Sequence, residues 1–172
     1  MIDISQLRLE PGVERSVEVP VAVPQLELGG VAYHAPAAPP IARVDITRVI
    51  SGLLMRLRLH TTISGPCHRC LEEATVPVSI DAREYQSDHP APGAEAEEVC
   101  DYLQGDELDI STWAADAIVL SMPHKILCKE DCEGLCPSCG TNLNTAECTC
   151  PPPEVESRWS ALQQLVDDAP EG

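Results

Sequence analysis

The fold this sequence predicts is α+β: an antiparallel β-sheet covered by a helix, followed by a C-terminal zinc-knuckle segment and a short terminal helix. Three observations predict it. Apolar residues alternate with polar ones through Val44 and Ile46, through Leu53, Met55, Leu57 and Leu59, and through Val76, Val78 and Ile80, the period of strands with one buried face. A single stretch, Ile110 to Val119, has helical spacing instead. Eight of the nine cysteines fall into close pairs, most of them late in the chain.

In chain order, residues 1–41 form a Pro-rich N-terminal segment. Val17, Val19, Val21 and Val23 alternate there, which predicts an exposed edge strand broken by Pro20 and Pro24. Residues 29–40 read as loop. Residues 42–127 hold the sheet and its covering helix. Ser51-Gly52 supplies a turn signal between two alternating runs, so a hairpin is expected there. Within this unit, 87–106 reads as an acidic loop in which Glu95, Glu97, Glu98 and Asp101 repel one another. Asp109 is placed to cap the helix, and Pro123 to end it near Ser121. Its apolar stripe is Ile110, Trp113, Ala114, Ala117, Ile118 and Val119. Residues 128–150 form a cysteine-rich zinc module. Residues 151–172 begin with three prolines as a stiff spacer and continue as a helix capped near Ser157, with Trp159, Leu162, Leu165 and Val166 on one side.

Composition narrows the function. With 44% hydrophobic residues the chain has enough to fold, but aromatics are 3% and Phe is absent, so Val, Leu and Ile must make the core. The net charge of −17 opposes binding to nucleic acid through the overall field and suits a basic protein partner. No segment approaches the ~20 apolar residues of a membrane span, so no membrane association is expected. The opening MIDISQLRLE lacks the basic and apolar regions of a secretory leader. The expected location is therefore cytoplasmic, where paired cysteines serve metals rather than disulfides.

The pairs are Cys67-x-x-Cys70, Cys128-x-x-x-Cys132, Cys136-x-x-Cys139 and Cys148-x-Cys150. Thiolates two to four residues apart reach one tetrahedral ion without strain, and four pairs make two structural zinc sites of four thiolates each. In the preferred pairing Cys67, Cys70, Cys128 and Cys132 share one ion, and Cys136, Cys139, Cys148 and Cys150 the other. A rival pairing joins Cys128, Cys132, Cys136 and Cys139 and leaves Cys67 and Cys70 to Cys148 and Cys150. Iron is open at such sites as well. Cys100 stands alone in the acidic loop and reads as a free thiol, its neighbours disfavouring the thiolate.

Several of these segments resemble the YceD family. They are Cys67-His68-Arg69-Cys70-Leu71-Glu72 after a strand, the stretch from Leu108-Asp109-Ile110 to Ser121-Met122-Pro123, and the run from Cys128 to Gly140. Asn142-Leu143-Asn144 and Cys148-Thr149-Cys150 complete the likeness, which covers the chain from about residue 40 onward. The resemblance implies a part in large-subunit ribosomal RNA accumulation and ribosome biogenesis, and it brings no catalytic residue with it.

The expected function is therefore a non-enzymatic ribosome-biogenesis factor with a ribosomal protein, a pre-ribosomal particle, rRNA or a processing enzyme as partner. No small-molecule substrate is expected. Arg56, Arg58 and His60 alternate with apolar positions and share a sheet face, with Arg48 expected across the hairpin. Arg69 and Lys129 are expected nearby through the shared zinc, so these six residues are the candidate RNA or partner contacts, against the plainer reading of a solvated face. A second reading is a zinc-stapled interaction scaffold using Trp159 and Leu162. An enzyme is the third: Pro66-Cys67-His68-Arg69-Cys70 contains half of a zinc-deaminase signature. The other half is missing, since His34 precedes Ala35-Pro36 and His60 precedes Thr61-Thr62.

Overall fold

Leu53, Met55, Leu57 and Leu59 are all buried, whereas Arg56, Arg58 and His60 between them keep contact with solvent. That single alternation defines the two faces of the main sheet. The structure, a computed structural model, describes residues 1–91 and 98–151. Glu95, Glu97 and the predicted terminal helix with Trp159 and Leu162 lie outside the described residues.

The chain opens with β1 (Ile2–Asp3), a 3-10 turn (Ile4–Leu7) and β2 (Glu14–Pro20). It continues through β3 (Leu26–Leu28), β4 (Val31–Tyr33), β5 (Ile41–Val49), β6 (Gly52–Pro66) and β7 (Glu73–Ser87). Then come β8 (Leu103–Gln104), β9 (Glu107–Leu108) and α1 (Ile110–Ser121). The main sheet is antiparallel with the order β2-β5-β6-β7. Val17 and Val19 pair with Val44 and Ala42, so the edge strand β2 adds its valines to the buried face instead of exposing them. Pro20 closes β2, where a missing N–H costs no ladder bond.

Val49 pairs with Gly52, so the β5–β6 turn is Ile50-Ser51 and Gly52 already belongs to β6. The glycine is needed for close approach: a Cβ there would lie 2.0 Å from the Gln86 carbonyl oxygen of β7. β6 and β7 then run 15 residues each in unbroken register, from Gly52–Ser87 to Pro66–Glu73. At about 3.3 Å per residue this makes a ribbon roughly 45 Å long.

Other expectations also need correction. Residues 29–40 are not all loop: β3 and β4 form a hairpin around Gly29-Gly30, both at positive φ (60° and 78°), as a two-residue turn of this hand requires. Strands of three residues are too short to announce themselves by period. The acidic loop ends earlier than residue 106, because Leu103–Leu108 folds into the β8–β9 hairpin and β1 pairs with β9. Val119 is 37% exposed and falls outside the helix stripe. The stripe is Ile110, Trp113, Ala114, Ala117 and Ile118, which keeps the i, i+3, i+4, i+7, i+8 spacing that Val119 breaks.

The helix otherwise starts and stops as its sequence dictates. The Thr112 N–H donates to Asp109 Oδ1 at 3.1 Å, and Met122, before Pro123, is already extended. Its stripe packs on β7, with Trp113 stacked on Tyr102 at 5.9 Å between ring centroids. Cys100 is a free thiol in the loop, as expected, and its side chain is buried in the core. Burial is the main cause that pushes its thiol up. The opposite sheet face carries one buried carboxylate, Asp45, which accepts from Ser16 Oγ (2.6 Å), Arg43 Nε (3.0 Å) and Arg58 Nη2.

Candidate metal centres

The β6–β7 ribbon carries a Cys-x-x-Cys knuckle as its connecting loop. The Cys67 N–H donates to the Glu72 carbonyl (2.7 Å) and the Leu71 N–H to the Cys67 carbonyl (3.0 Å), folding both sulfurs to one side. Leu71 sits at φ 63°, a left-handed conformation uncommon for leucine, and its side chain is 66% exposed. The segment after α1 docks against this knuckle through the His68 N–H, which donates to the Ile126 carbonyl at 2.8 Å. That contact delivers Cys128 and Cys132. The sulfur of Cys67 then lies 3.8 Å from that of Cys132, and Cys70 lies 3.6 Å from Cys128. Arg69 closes the joint, with Nη1 donating to the Cys132 carbonyl at 2.6 Å.

The second centre repeats the device within one short stretch. The Cys136 N–H donates to the Thr141 carbonyl (2.8 Å) and the Gly140 N–H to the Cys136 carbonyl (2.9 Å), with Gly140 at φ 75° where the first knuckle has Leu71. A turn at Asn142, whose carbonyl accepts from Thr145 and Ala146 N–H, returns the chain with Cys148 and Cys150. Cys148 Sγ lies 3.5 Å from Cys139 Sγ and 3.3 Å from Cys136 Sγ.

In each quartet all sulfurs lie within 4.8 Å of one another. Four sulfurs held about 2.3 Å from a common tetrahedral ion stand ~3.8 Å apart, so the spacing fits a metal. It does not fit disulfides, whose sulfurs sit about 2.05 Å apart. The structure brings together Cys67, Cys70, Cys128 and Cys132, and separately Cys136, Cys139, Cys148 and Cys150. The rival pairing does not form.

The surroundings also suit thiolates. Asn144 Nδ2 donates to Cys132 Sγ (3.3 Å) and the Cys150 N–H to Cys148 Sγ (3.4 Å). Burial raises the Cys67 thiol, but N–H groups of Cys70 and Arg69 outweigh it and bring the pKa down to about 6. The Thr141 hydroxyl, with its N–H, lowers Cys139 to about 6. The last protons are held hard. Cys128 is pushed up to about 12 by burial and by the sulfurs of Cys70 and Cys132, and Cys150 to about 12 by Cys148 and Cys139. Cys70 is raised although the Glu72 N–H favours its thiolate, because burial and the sulfurs of Cys67 and Cys132 stand against it. Two thiolates per quartet thus form readily and oppose the next two, a conflict that a dication at the centre removes.

The basic candidates are placed differently. Arg56, Arg58 and His60 do share a face, but each has a partner. Arg56 makes two bonds to Asp81 (2.6 and 2.5 Å), Arg58 holds Asp45, and His60 Nδ1 lies 3.0 Å from Ser79 Oγ. Arg48 is not on that face: it pairs with Leu53, shares the side of Val44 and Ile46, and bonds Asp88 at 2.8 Å. Arg69 is committed to the first metal centre, and Lys129 lies 3.8 Å from Asp131. Reading from sequence missed Arg43 and Asp45, which form the middle of this charge ladder. It also missed that Leu71 is exposed at the knuckle tip.

A family model described as large ribosomal RNA subunit accumulation protein YceD matches residues 55–166. Among curated proteins, the chain is 30% identical over 154 residues to a chloroplastic large ribosomal RNA subunit accumulation protein YCED homolog 1 of Zea mays, covering 70% of this chain and 52% of that one. It is 27% identical over 124 residues to uncharacterised proteins of Mycobacterium bovis and Mycobacterium tuberculosis, covering 70% of this chain and 59% of theirs. The chain therefore spans between half and three-fifths of the length of these relatives. No solved structure matches it. Because the matched stretch contains both sulfur quartets, the helix and all but the first three residues of the ribbon that position them, this chain belongs to the YceD family.

Proposed function

We propose that the protein is a non-enzymatic, zinc-binding ribosome-biogenesis factor that supports accumulation or processing of large-subunit ribosomal RNA by holding a basic ribosomal protein. The observation that carries this reading is the pair of sulfur quartets inside the family-matched stretch. Four protein sulfurs complete a tetrahedral ion and leave no position for water or substrate, which is the coordination of a structural rather than a catalytic zinc. Two such sites add about four negative charges to a chain already at −17, because four thiolates outweigh one Zn²⁺ at each. A basic protein is favoured over RNA as the direct partner because Arg56 and Arg58 already hold carboxylates. A reducing compartment such as the cytosol suits the free thiols.

The test is depletion and rescue. Depleting the protein in its own cells lowers the ratio of large- to small-subunit rRNA. The wild-type chain restores the ratio, and a Cys67→Ser, Cys132→Ser chain does not. An unchanged ratio after depletion would overturn the proposal.

A further inference from the structure

Among the described residues β7 is the last strand of the main sheet, and β6 alone pairs with it. Which of its backbone groups face outward follows from three fixed points. The Gln86 carbonyl lies against Gly52 of β6, so even positions face inward. The Ser87 N–H donates away from the sheet, to the Glu98 carbonyl at 2.8 Å. Pro77, which has no N–H to give, has the same parity as Ser87. Since the register is unbroken from residue 73 to 87, the N–H and C=O groups of Ser79, Asp81, Arg83 and Tyr85 point to the outer edge. Among the described residues none of these groups has a hydrogen-bond partner.

Beside that edge runs a groove. Ile80, Ala82 and Glu84 of β7 and Trp113, Ala117 and Leu120 of α1 line a cavity of about 150 Å³. Leu120, at its rim, is 86% exposed and Val119 beside it 37%. A strand laid along β7 would send every second side chain toward this cavity and the others toward the polar face. The rim carries Glu84, whose carboxyl is raised by burial and by Asp101 beside it, and Asp116, which accepts from the Tyr102 hydroxyl at 3.1 Å. Asp81 also lines the cavity but is paired with Arg56, and Arg83 is the counter-charge on the same stretch.

We propose that the β7 edge from Ser79 to Tyr85, with the β7–α1 groove, seats an extended basic segment of a partner protein. The segment adds as a fifth strand and places an aliphatic side chain between Ala82 and Leu120. The backbone ladder supplies affinity, the cavity selects an aliphatic residue, and the acidic rim selects flanking lysine or arginine. A second copy of this chain is a poor occupant, since two chains of net charge −17 repel each other and Pro77 interrupts edge-to-edge pairing. The proposal rests on the preceding reading only for the basic character of the partner.

The test is amide hydrogen exchange on the full zinc-loaded chain, with and without a labelled eight-residue peptide alternating Lys or Arg with Val, and with a Glu-Val peptide as control. The basic probe slows exchange at Ser79, Asp81 and Arg83 by roughly tenfold or more, and the acidic control does not. Leu120→Glu, a surface change that leaves the fold intact, lowers probe affinity about tenfold. Ile50→Glu, at a distant exposed turn, leaves it unchanged. Four outcomes overturn the proposal: no protection by the basic probe, equal affinity in Leu120→Glu, protection already present in the free chain, or the same protection from single-stranded RNA. Any of these leaves the depletion result standing, whereas an unchanged rRNA ratio leaves the groove standing.

Discussion

Asp45 is the residue on which the polar sheet face turns. Burial alone would raise its carboxyl, but the Ser16 hydroxyl and the guanidinium groups of Arg43 and Arg58 hold it down to about 2. A folded pKa below the unfolded one stabilises the fold above about pH 4, and that stability is lost as the pH falls from 4 toward 2. The shift is worth roughly 2 kcal/mol. Asp45→Asn is therefore expected to cost about that much at pH 7 in urea unfolding, and its deficit against wild type should shrink below pH 4. A deficit independent of pH would show that packing, not charge, makes the difference. In the sequence Asp45 is only a polar residue between Val44 and Ile46, because its partners come from three strands whose register is set by distant packing. Arg48 is the opposite case. It shares the parity of Val44 and Ile46, so its place on the apolar face was open to a stricter count.

Among the elements, the β6–β7 ribbon carries most of the geometry, and its two ends make separate predictions. At one end Gly52→Ala would drive a methyl to 2.0 Å from the Gln86 carbonyl. The strands must part there, so a loss of about 2–4 kcal/mol is expected in thermal or urea unfolding, as for other overpacked sites. A loss below about 0.5 kcal/mol would mean that the strands do not approach so closely. At the other end Leu71 occupies the left-handed position that Gly140 occupies in the second knuckle. Leu71→Gly relieves about 1 kcal/mol of backbone strain and gives back part of it as unfolded-chain entropy. Stability is expected to stay level or rise slightly, with metal content unchanged. A drop above about 1 kcal/mol would assign the leucine a packing role that its exposure does not suggest. The long strands and the capped helix were legible because their periods repeat over many residues. The β3–β4 and β8–β9 hairpins were not, since two or three residues hold no period, and the turn signals Gly29-Gly30 and Gly105-Asp106 stand without alternating runs beside them.

For the whole molecule, the two sulfur quartets have unequal reach. The first joins sulfurs 58 and 65 residues apart in sequence, and so ties the tip of the ribbon to the segment that leaves α1. The second joins sulfurs 9 and 12 residues apart and orders only its own stretch. Closing the longer loop removes more freedom from the unfolded chain, so the first ion should contribute more to global stability. On chelation the second site, where only Cys136 is buried against three buried cysteines in the first, is expected to empty first and with little change in melting temperature. The first then empties together with loss of the fold. Ligand spacing made the four pairs legible because it is a local property, while the choice between the two pairings depended on where the ribbon and helix deliver their ends. The most direct test of the account is native mass spectrometry of the chain purified without added metal, beside Cys67→Ser. Two zinc ions in the wild type and one in the variant are expected. A chain without metal, or a variant that keeps both ions, would contradict two separate quartets.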